Sequence, residues 1–477
     1  MAIRIVTPYL DGRFTPRRRR PTETVTAPWD GRRLVELVTG DAADLLAAMR
    51  GARRAQRVLA ALSRHARAEI LERVSRAIGA ERQPLAKLIA VDAGKPLTFA
   101  LAEVDRAETT FRVAAEEARR FGVEAFPADA DPRGAGYVAR MERFPLGVIA
   151  AISPFNFPLN LAAHKVAPAL ATGNAVVLKP PPQAPLAAFR LAELVGAAGA
   201  PPGTLQVLHL PVPLAERLAT DPGTAMLSFT GSARVGWHLK GLAARKRVVL
   251  ELGGNAAAIV HRDAGNLDAL AERIAWGAFG YAGQVCIRVQ RLLIDAAIAR
   301  RFTQLVVEAA RRLPAGDPRR PDTVVGPMID AAAVARVRAW IAEAEQAGAR
   351  AILKGSVRGR LLRPTILSGV PREEKVWREE VFGPVLTVTP YRDWDEAIEL
   401  ANDSSYGLQA GVFTRDTGRV DQAFRVLEVG GVIVNDLPTL RLDHLPYGGV
   451  KGSGFGREGP ASAMEEMTEQ RVLLMRP

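Results

Sequence analysis

A single cysteine, Cys286, stands in the whole chain. No intrachain disulfide can form from it, which excludes an oxidised, cross-linked secreted scaffold. Histidine is scarce: His65, His164, His209, His238, His261 and His444 are the full set, and none pairs with another at metal-ligand spacing. No catalytic metal is expected. Long apolar runs are missing too, and nothing approaches the ~18–20 uninterrupted apolar residues that span a bilayer. The start, Met1 to Phe14, has no basic segment followed by the apolar core of a signal peptide. These absences point to a cytoplasmic protein without a membrane segment.

What the chain does have is apolar material and positive charge. Its 477 residues suffice for about three domains at ~150 residues each. Hydrophobic residues at 48% against charged residues at 24% give a globular balance. The net charge of +13 raises the question of a nucleic-acid partner, because a basic surface attracts phosphate. The excess, however, is mostly scattered arginine, and its one dense run, Arg17 to Arg20, lies between Pro16 and Pro21. A solvated loop accounts for that run, so no nucleic-acid partner is expected. Anionic substrates are the other use for the surplus charge.

Residues 41 to 120 read as helices, with Leu45, Leu46, Met49, Val58, Leu59 and Leu62 at helical intervals. A second helical segment runs from Ala66 to about Val91, and Gly94-Lys95-Pro96 punctuates before a third. Alternation over Tyr137–Phe144 predicts an extended hairpin arm. Val148–Ser153, Ala175–Lys179, Leu205–Leu208, Ala225–Phe229 and Val248–Leu252 read as buried strands, with helices at Leu159–Leu170 and Leu186–Ala198. Such alternation implies a parallel sheet with crossover helices. A second alternating region, from Ala257 to about Gly431, has helices at Leu267–Ala282, Ile298–Leu313 and Ala331–Ala347.

Several residues could carry chemistry. Phe229 to Gly236 follows a strand and opens a helix, where an N-terminus can hold a pyrophosphate, though glycines after strands are commonly plain turns. Cys286 lies in Gly283-Gln284-Val285-Cys286-Ile287-Arg288, just past a helix. A thiol there is either a small buried hydrophobe or a nucleophile. Glu251, in Glu251-Leu252-Gly253-Gly254-Asn255, ends a buried strand, where open sheets bind ligands. It is a turn cap or a base. Asn156, in Ser153-Pro154-Phe155-Asn156-Phe157-Pro158, is a turn former or an oxyanion donor.

Taken together, Ser153–Pro158, Leu178-Lys179-Pro180, Phe229–Ser232, Glu251–Gly254, Gly283–Cys286, Glu380-Val381-Phe382-Gly383-Pro384 and Pro446–Gly454 resemble the aldehyde dehydrogenase superfamily, in its order and over almost the whole chain. The resemblance implies an α/β fold in three parts. A Rossmann-like cofactor domain takes 1–122 and 146–252, an α/β catalytic domain 253–446, and a small β oligomerisation arm and tail 123–145 and 447–477. It also implies a homodimer or homotetramer.

On this likeness Cys286 attacks the aldehyde, and Asn156 with the Cys286 backbone N–H steadies the thiohemiacetal oxygen. Hydride transfer leaves a thioester, and Glu251 activates the water that hydrolyses it. Lys165 matches a lysine placed on the proton path. The cofactor, NAD or NADP with NAD slightly favoured, falls to Ser153, Pro154, Phe155, Lys179, Pro182, Phe229, Gly231, Ser232, Val235, Leu252, Gly253, Glu380 and Phe382. Lys179 would hold the adenosine ribose, Ser232 face the pyrophosphate and Glu380 grip the nicotinamide ribose.

Two departures stand out. Pro182 occupies a position where many NAD-preferring relatives carry a glutamate that repels a 2′-phosphate. Phe155 replaces the more usual Trp. For the substrate, Arg106, Arg288, Phe157, Arg441 and His444 are the candidates, because arginine forks match carboxylate or phosphonate oxygens. Asn160, Leu161 and Val434–His444 look like the lactaldehyde and phosphonoacetaldehyde dehydrogenase branch, so a small, anionic or hydroxylated aldehyde is expected. Two alternatives stay open: a CoA-acylating semialdehyde dehydrogenase, and a catalytically idle basic binding protein on the same fold.

Overall fold

The computed structural model describes residues 4–16 and 20–477. Met1 to Ile3 and three arginines of the basic run, Arg17, Arg18 and Arg19, lie outside the described residues. Arg20 is described and is not a free loop charge. Its guanidinium is mostly buried against Asp44 and lies 3.2 Å from Asp41.

The apolar runs of the first alternating region form a parallel sheet because both of their faces are buried. Ile149, Ala151, Val176 and Leu178 pack on one side, and Val148, Ala150, Ile152 and Val177 on the other. The order across its parallel centre is Arg247–Glu251, Thr224–Thr230, Val148–Ile152, Ala175–Lys179 and Leu205–Val207. Short antiparallel strands close its two sides: Gly454–Phe455 on one, and Tyr9–Leu10 followed by Arg13–Phe14 on the other. The chain enters at Val148–Ile152, builds outward on one side, then returns to add Thr224–Thr230 on the other. A crevice opens at such a switch point.

The second region builds a seven-stranded sheet the same way. Ala258, Val260, Leu292 and Ile294 face one cluster, while Ala257, Ile259 and Leu293 face another. The tail strand Thr468–Met475 pairs antiparallel with Val138–Pro145, which pairs in turn with Val123–Phe126. Among the described residues no helix is long and apolar enough to cross a membrane.

Three differences from the sequence reading have physical causes. The segment expected from Ala66 to Val91 is two helices, Arg64–Ala80 and Arg82–Asp92. A break at Glu81 puts Pro84 in a first turn, where its missing N–H costs nothing. The helix expected to reach Ala282 stops at Phe279, and Tyr281 and Ala282 then take positive φ. Among the described residues, five strands before residue 39, including Thr22–Thr26 and Arg33–Val38, were not anticipated. Three of them are only two or three residues long, and Thr22–Thr26 and Arg33–Val38 lack the continuous apolar run that marks the later strands.

One buried charge ties the second sheet to its flanking helix. Arg291 donates to Asn255, Leu400, Ala401 and Asp403 carbonyls at 2.7–3.2 Å, gathering the last turn of helix Trp394–Asn402. We predict that Arg291→Leu lowers stability by about 3 kcal/mol or more in urea unfolding, since several buried acceptors lose a charged donor together. A loss under about 1 kcal/mol would mean that solvent satisfies those carbonyls instead.

Candidate active site

The carboxyl ends of the first sheet and the amino ends of the second meet at a cavity of about 450 Å³. Pro154, Phe155 and Asn156 reach it just past strand Val148–Ile152, Gly231 and Ser232 just past Thr224–Thr230, and Glu251 from the end of its own strand. Opposite stand Cys286 and Glu380, each a few residues ahead of a strand of the second sheet.

Cys286 is delivered by the irregular end of the preceding helix. Gly280 has no room for a Cβ, which would sit 2.6 Å from Phe99, and the positive-φ run Tyr281–Gly283 turns the chain toward the cavity. The Cys286 Sγ lies 3.5 Å from the Tyr447 hydroxyl. It keeps some contact with solvent, yet desolvation at the cavity floor pushes the thiol up to about 11, against the opposing pull of that hydroxyl.

Asn156 Nδ2 donates to the Gln284 carbonyl at 3.0 Å, which fixes one amide hydrogen and leaves the second for the cavity. Glu251 is buried, and neither carboxylate oxygen has a hydrogen-bond partner among the described residues. Burial first, and then the charge of Glu458, raise its pKa well above the ordinary carboxylate value. Its proton is therefore held more tightly than that of an exposed glutamate.

A buried polar network backs this wall. Lys165 donates to Thr230 Oγ1 at 2.6 Å and Glu458 Oε1 at 3.0 Å. Arg441 donates to Glu458 Oε2 at 3.1 Å and stacks its guanidinium 3.7 Å over the Tyr447 ring. Asp443 receives both forks of Arg106 at 2.8 Å and His164 Nε2 at 2.8 Å. Burial alone would raise the two carboxyls, but Lys165 and Arg441 hold Glu458 low, and Arg106 and His164 hold Asp443 low. Burial and Arg441 keep His164 below its usual value, so its ring is neutral near pH 7.

Of the substrate candidates, the structure brings Arg441 alone to the cavity wall. Arg288 is a correction: it is buried, and its guanidinium donates to the Val385 carbonyl at 2.6 Å and Gln290 Oε1 at 2.8 Å. The Arg288 N–H bonds Val285, and the tight turn so formed sends the side chain inward, away from the thiol. Arg106 spends its fork on Asp443, over the ring of the half-buried Phe157. Phe157 and the exposed His444 do not line the cavity.

Among cofactor candidates, Pro154, Phe155, Gly231, Ser232, Leu252, Gly253, Glu380 and Phe382 line it. Phe155 and Phe382 meet edge to face at 5.9 Å. Ser153, Lys179, Pro182, Phe229 and Val235 lie outside the lining. Phe229 and Val235 instead support it from the core beneath Gly231. Lys179 sits by Glu23, whose carboxylate is 3.0 Å from His209 Nε2. Sequence reasoning passed over Glu23, Tyr447, Glu458 and Arg336. Tyr447 lay inside a quoted motif, whereas Arg336 had no signal among the arginines of its helix.

The residues present suit a dinucleotide. Helix Ala233–Ala243 begins at Ser232 without a side-chain cap, and Ser232, Ala233 and Arg234 line the cavity, so first-turn N–H groups are available to phosphate. A Cβ at Gly253 would meet the Glu380 carboxylate at 2.6 Å, so glycine there leaves that carboxylate its place at the cavity. Among the described residues no group of three or more His, Cys, Asp or Glu is placed to hold a metal.

The chain matches the aldehyde dehydrogenase family over residues 14–473. It belongs to that family. It is 44% identical over 414 residues to a 3-sulfolactaldehyde dehydrogenase of Priestia megaterium, covering 87% of each chain. Aldehyde dehydrogenase 21 of Physcomitrella patens, solved with the reaction product succinate, superposes with a TM-score of 0.97 at 36% identity, covering 100% of this chain and 99% of that one. The glyceraldehyde-3-phosphate dehydrogenase GapN of Methanocaldococcus jannaschii, solved with NADP, gives 0.92 at 35% identity, covering 96% and 100%. This aldehyde dehydrogenase is NAD(P)-dependent, and its sulfolactaldehyde relative agrees with the branch the sequence resembles.

The buried thiol yields a direct expectation. In the cofactor-free protein, iodoacetamide should label Cys286 slowly at neutral pH, with a rate that climbs as pH rises toward about 11. A labelling rate that levels off below pH 8 would contradict this reading of the cavity floor.

Proposed function

We propose that this aldehyde dehydrogenase oxidises a small anionic aldehyde to the free acid, with Cys286 as nucleophile, Asn156 as oxyanion donor and Glu251 as base. Charge at the Arg441 end of the cavity carries the reading. Lys165, Arg106 and Arg441 face Glu458 and Asp443, while His164 is neutral near pH 7 and burial disfavours the charged form of Glu251. The three cations outnumber those two carboxylates in a low-dielectric wall, where positive charge attracts an anion far more than it would in water. The sulfonate of sulfolactaldehyde, the phosphate of glyceraldehyde 3-phosphate and the second carboxylate of succinate are the anionic groups of the relatives' compounds, and we carry that class over to this chain.

The attacking thiolate forms a C–S bond to the aldehyde carbonyl, and the oxygen left negative accepts from Asn156 Nδ2 and the Cys286 backbone N–H. Bound NAD(P) supplies the hydride acceptor that turns the adduct into a thioester. Glu251, once ionised, takes a proton from water, which displaces the cysteine as the free acid leaves. Ser232, Glu380 and Phe382 would hold the cofactor, with Lys179 at the adenosine ribose. We also infer the division stated from the sequence, with 123–145 and 447–477 as an oligomerisation surface. Exposed Phe126, Val138, Val472 and Leu474 on that sheet support it.

A 340 nm assay with NAD and NADP tests the substrate class, using propanal, lactaldehyde, succinate semialdehyde and phosphonoacetaldehyde. We expect the anionic aldehydes to lead. Arg441→Gln should raise KM for them by about ten-fold or more while changing propanal little, and equal effects on both would sink the proposal. Glu251→Gln should leave a single burst of reduced cofactor but stop turnover. Because the Glu251 pKa is raised, wild-type kcat should increase with pH through an alkaline-shifted limb. A kcat that is flat from pH 6 to 9 would argue against Glu251 as the base.

A further inference from the structure

Gly94-Lys95-Pro96 reads in the sequence as punctuation between helices, but the structure gives its lysine an unusual place. Lys95 and Glu103 are both fully buried, with Nζ 2.7 Å from Oε2. Burying such a pair costs several kcal/mol per ion before the attraction is counted, so apolar residues would serve a core equally well. The two charges are instead spent on one short segment. Lys95 Nζ donates to the backbone carbonyl of Asn156 at 2.9 Å and rests 3.2 Å over the Phe157 ring. Glu103 Oε1 accepts from the N–H groups of Leu159 at 2.9 Å and Asn160 at 3.1 Å. Those donors open helix Asn160–Thr172, which has no side-chain cap of its own.

We propose that the Lys95–Glu103 pair is a positioning device for Asn156, gripping the turn 156–160 at both ends so that the side-chain amide points at the oxygen of the Cys286 adduct. The proposal rests on the reading of Asn156 as the oxyanion donor. The far side of the amide is equally fixed. Asn156 Nδ2 donates to the Gln284 carbonyl, and Gln284 is itself held, accepting from the Ile329 N–H at 2.8 Å and donating to Pro327 at 3.2 Å. With one amide hydrogen committed and the backbone pinned, the second hydrogen has one direction left. Preorganised donors of this kind do not have to reorient as charge develops. Lys95 is therefore a positioning residue: it does not itself line the cavity, and it acts through the backbone of Asn156.

The test is a double-mutant cycle on kcat with saturating cofactor. Lys95→Met should lower kcat on the order of 10²-fold, the effect of a reacting group displaced by about 1 Å. Aldehyde KM should stay within about three-fold, since the interaction matters at the transition state. Cofactor binding followed by protein fluorescence should be unchanged, which a loosened fold would not allow. In an Asn156→Ala background, Lys95→Met should cost less than about two-fold more, because both changes remove one function. Should Lys95→Met not fold, Lys95→Met with Glu103→Gln removes both charges, keeps an acceptor for Leu159 and Asn160, and is judged by the same criteria. A folded variant with kcat within about three-fold of wild type, or losses that multiply in the double variant, would overturn the proposal. An Asn156→Ala enzyme with wild-type kcat would remove the oxyanion reading itself, and this inference with it.

Discussion

The hydrogen bond from Asn156 Nδ2 to the Gln284 carbonyl joins the two halves of the site. Asn156 belongs to the turn after the first strand of one parallel sheet, and Gln284 to the turn before a strand of the other. Neither sheet alone makes a cavity. Where the carboxyl ends of one approach the amino ends of the other, the switch-point crevice of the first sheet gains a far wall bearing Cys286 and Glu380. Everything in the chemistry depends on that seam being closed to within a hydrogen bond.

Closing the seam also sets the electrostatics. Desolvation raises both Cys286 and Glu251, and it does so more than any single neighbour. Both groups therefore ionise less readily than an exposed cysteine or glutamate. The network around Glu458 and Asp443 limits the cost of burial, because each buried carboxylate there has at least two cationic or imidazole partners. Glu251 has no such partner among the described residues, and burial raises its pKa.

Much of this was legible in the sequence where local rules suffice. The parallel strands were readable because both faces of each are buried and the runs are continuous, and Cys286, Glu251 and Asn156 sit at strand or helix ends that motif order marks out. The arginines were not legible. Arg288 stands two residues from the thiol, but a turn between Val285 and Arg288 sends its fork into the core, whereas Arg441, distant in sequence, reaches the wall. Sequence separation says little about direction once a chain leaves a regular element. Lys95 and Glu103 were overlooked for the opposite reason: a lysine between Gly and Pro looks like turn chemistry, and its burial is a tertiary fact.

On the proposed mechanism, the charge at Arg441 and the raised pKa of Glu251 belong to one argument. An anion seated at Arg441 would offset the positive balance of that network and make ionisation of nearby Glu251 harder still. Oxidation would then replace the adduct oxyanion by a neutral thioester and lower the local negative charge. Glu251 would ionise more readily from that state than from the preceding one. Hydrolysis would leave a product with one more negative charge than the substrate, and repulsion would favour departure of the acid over rebinding.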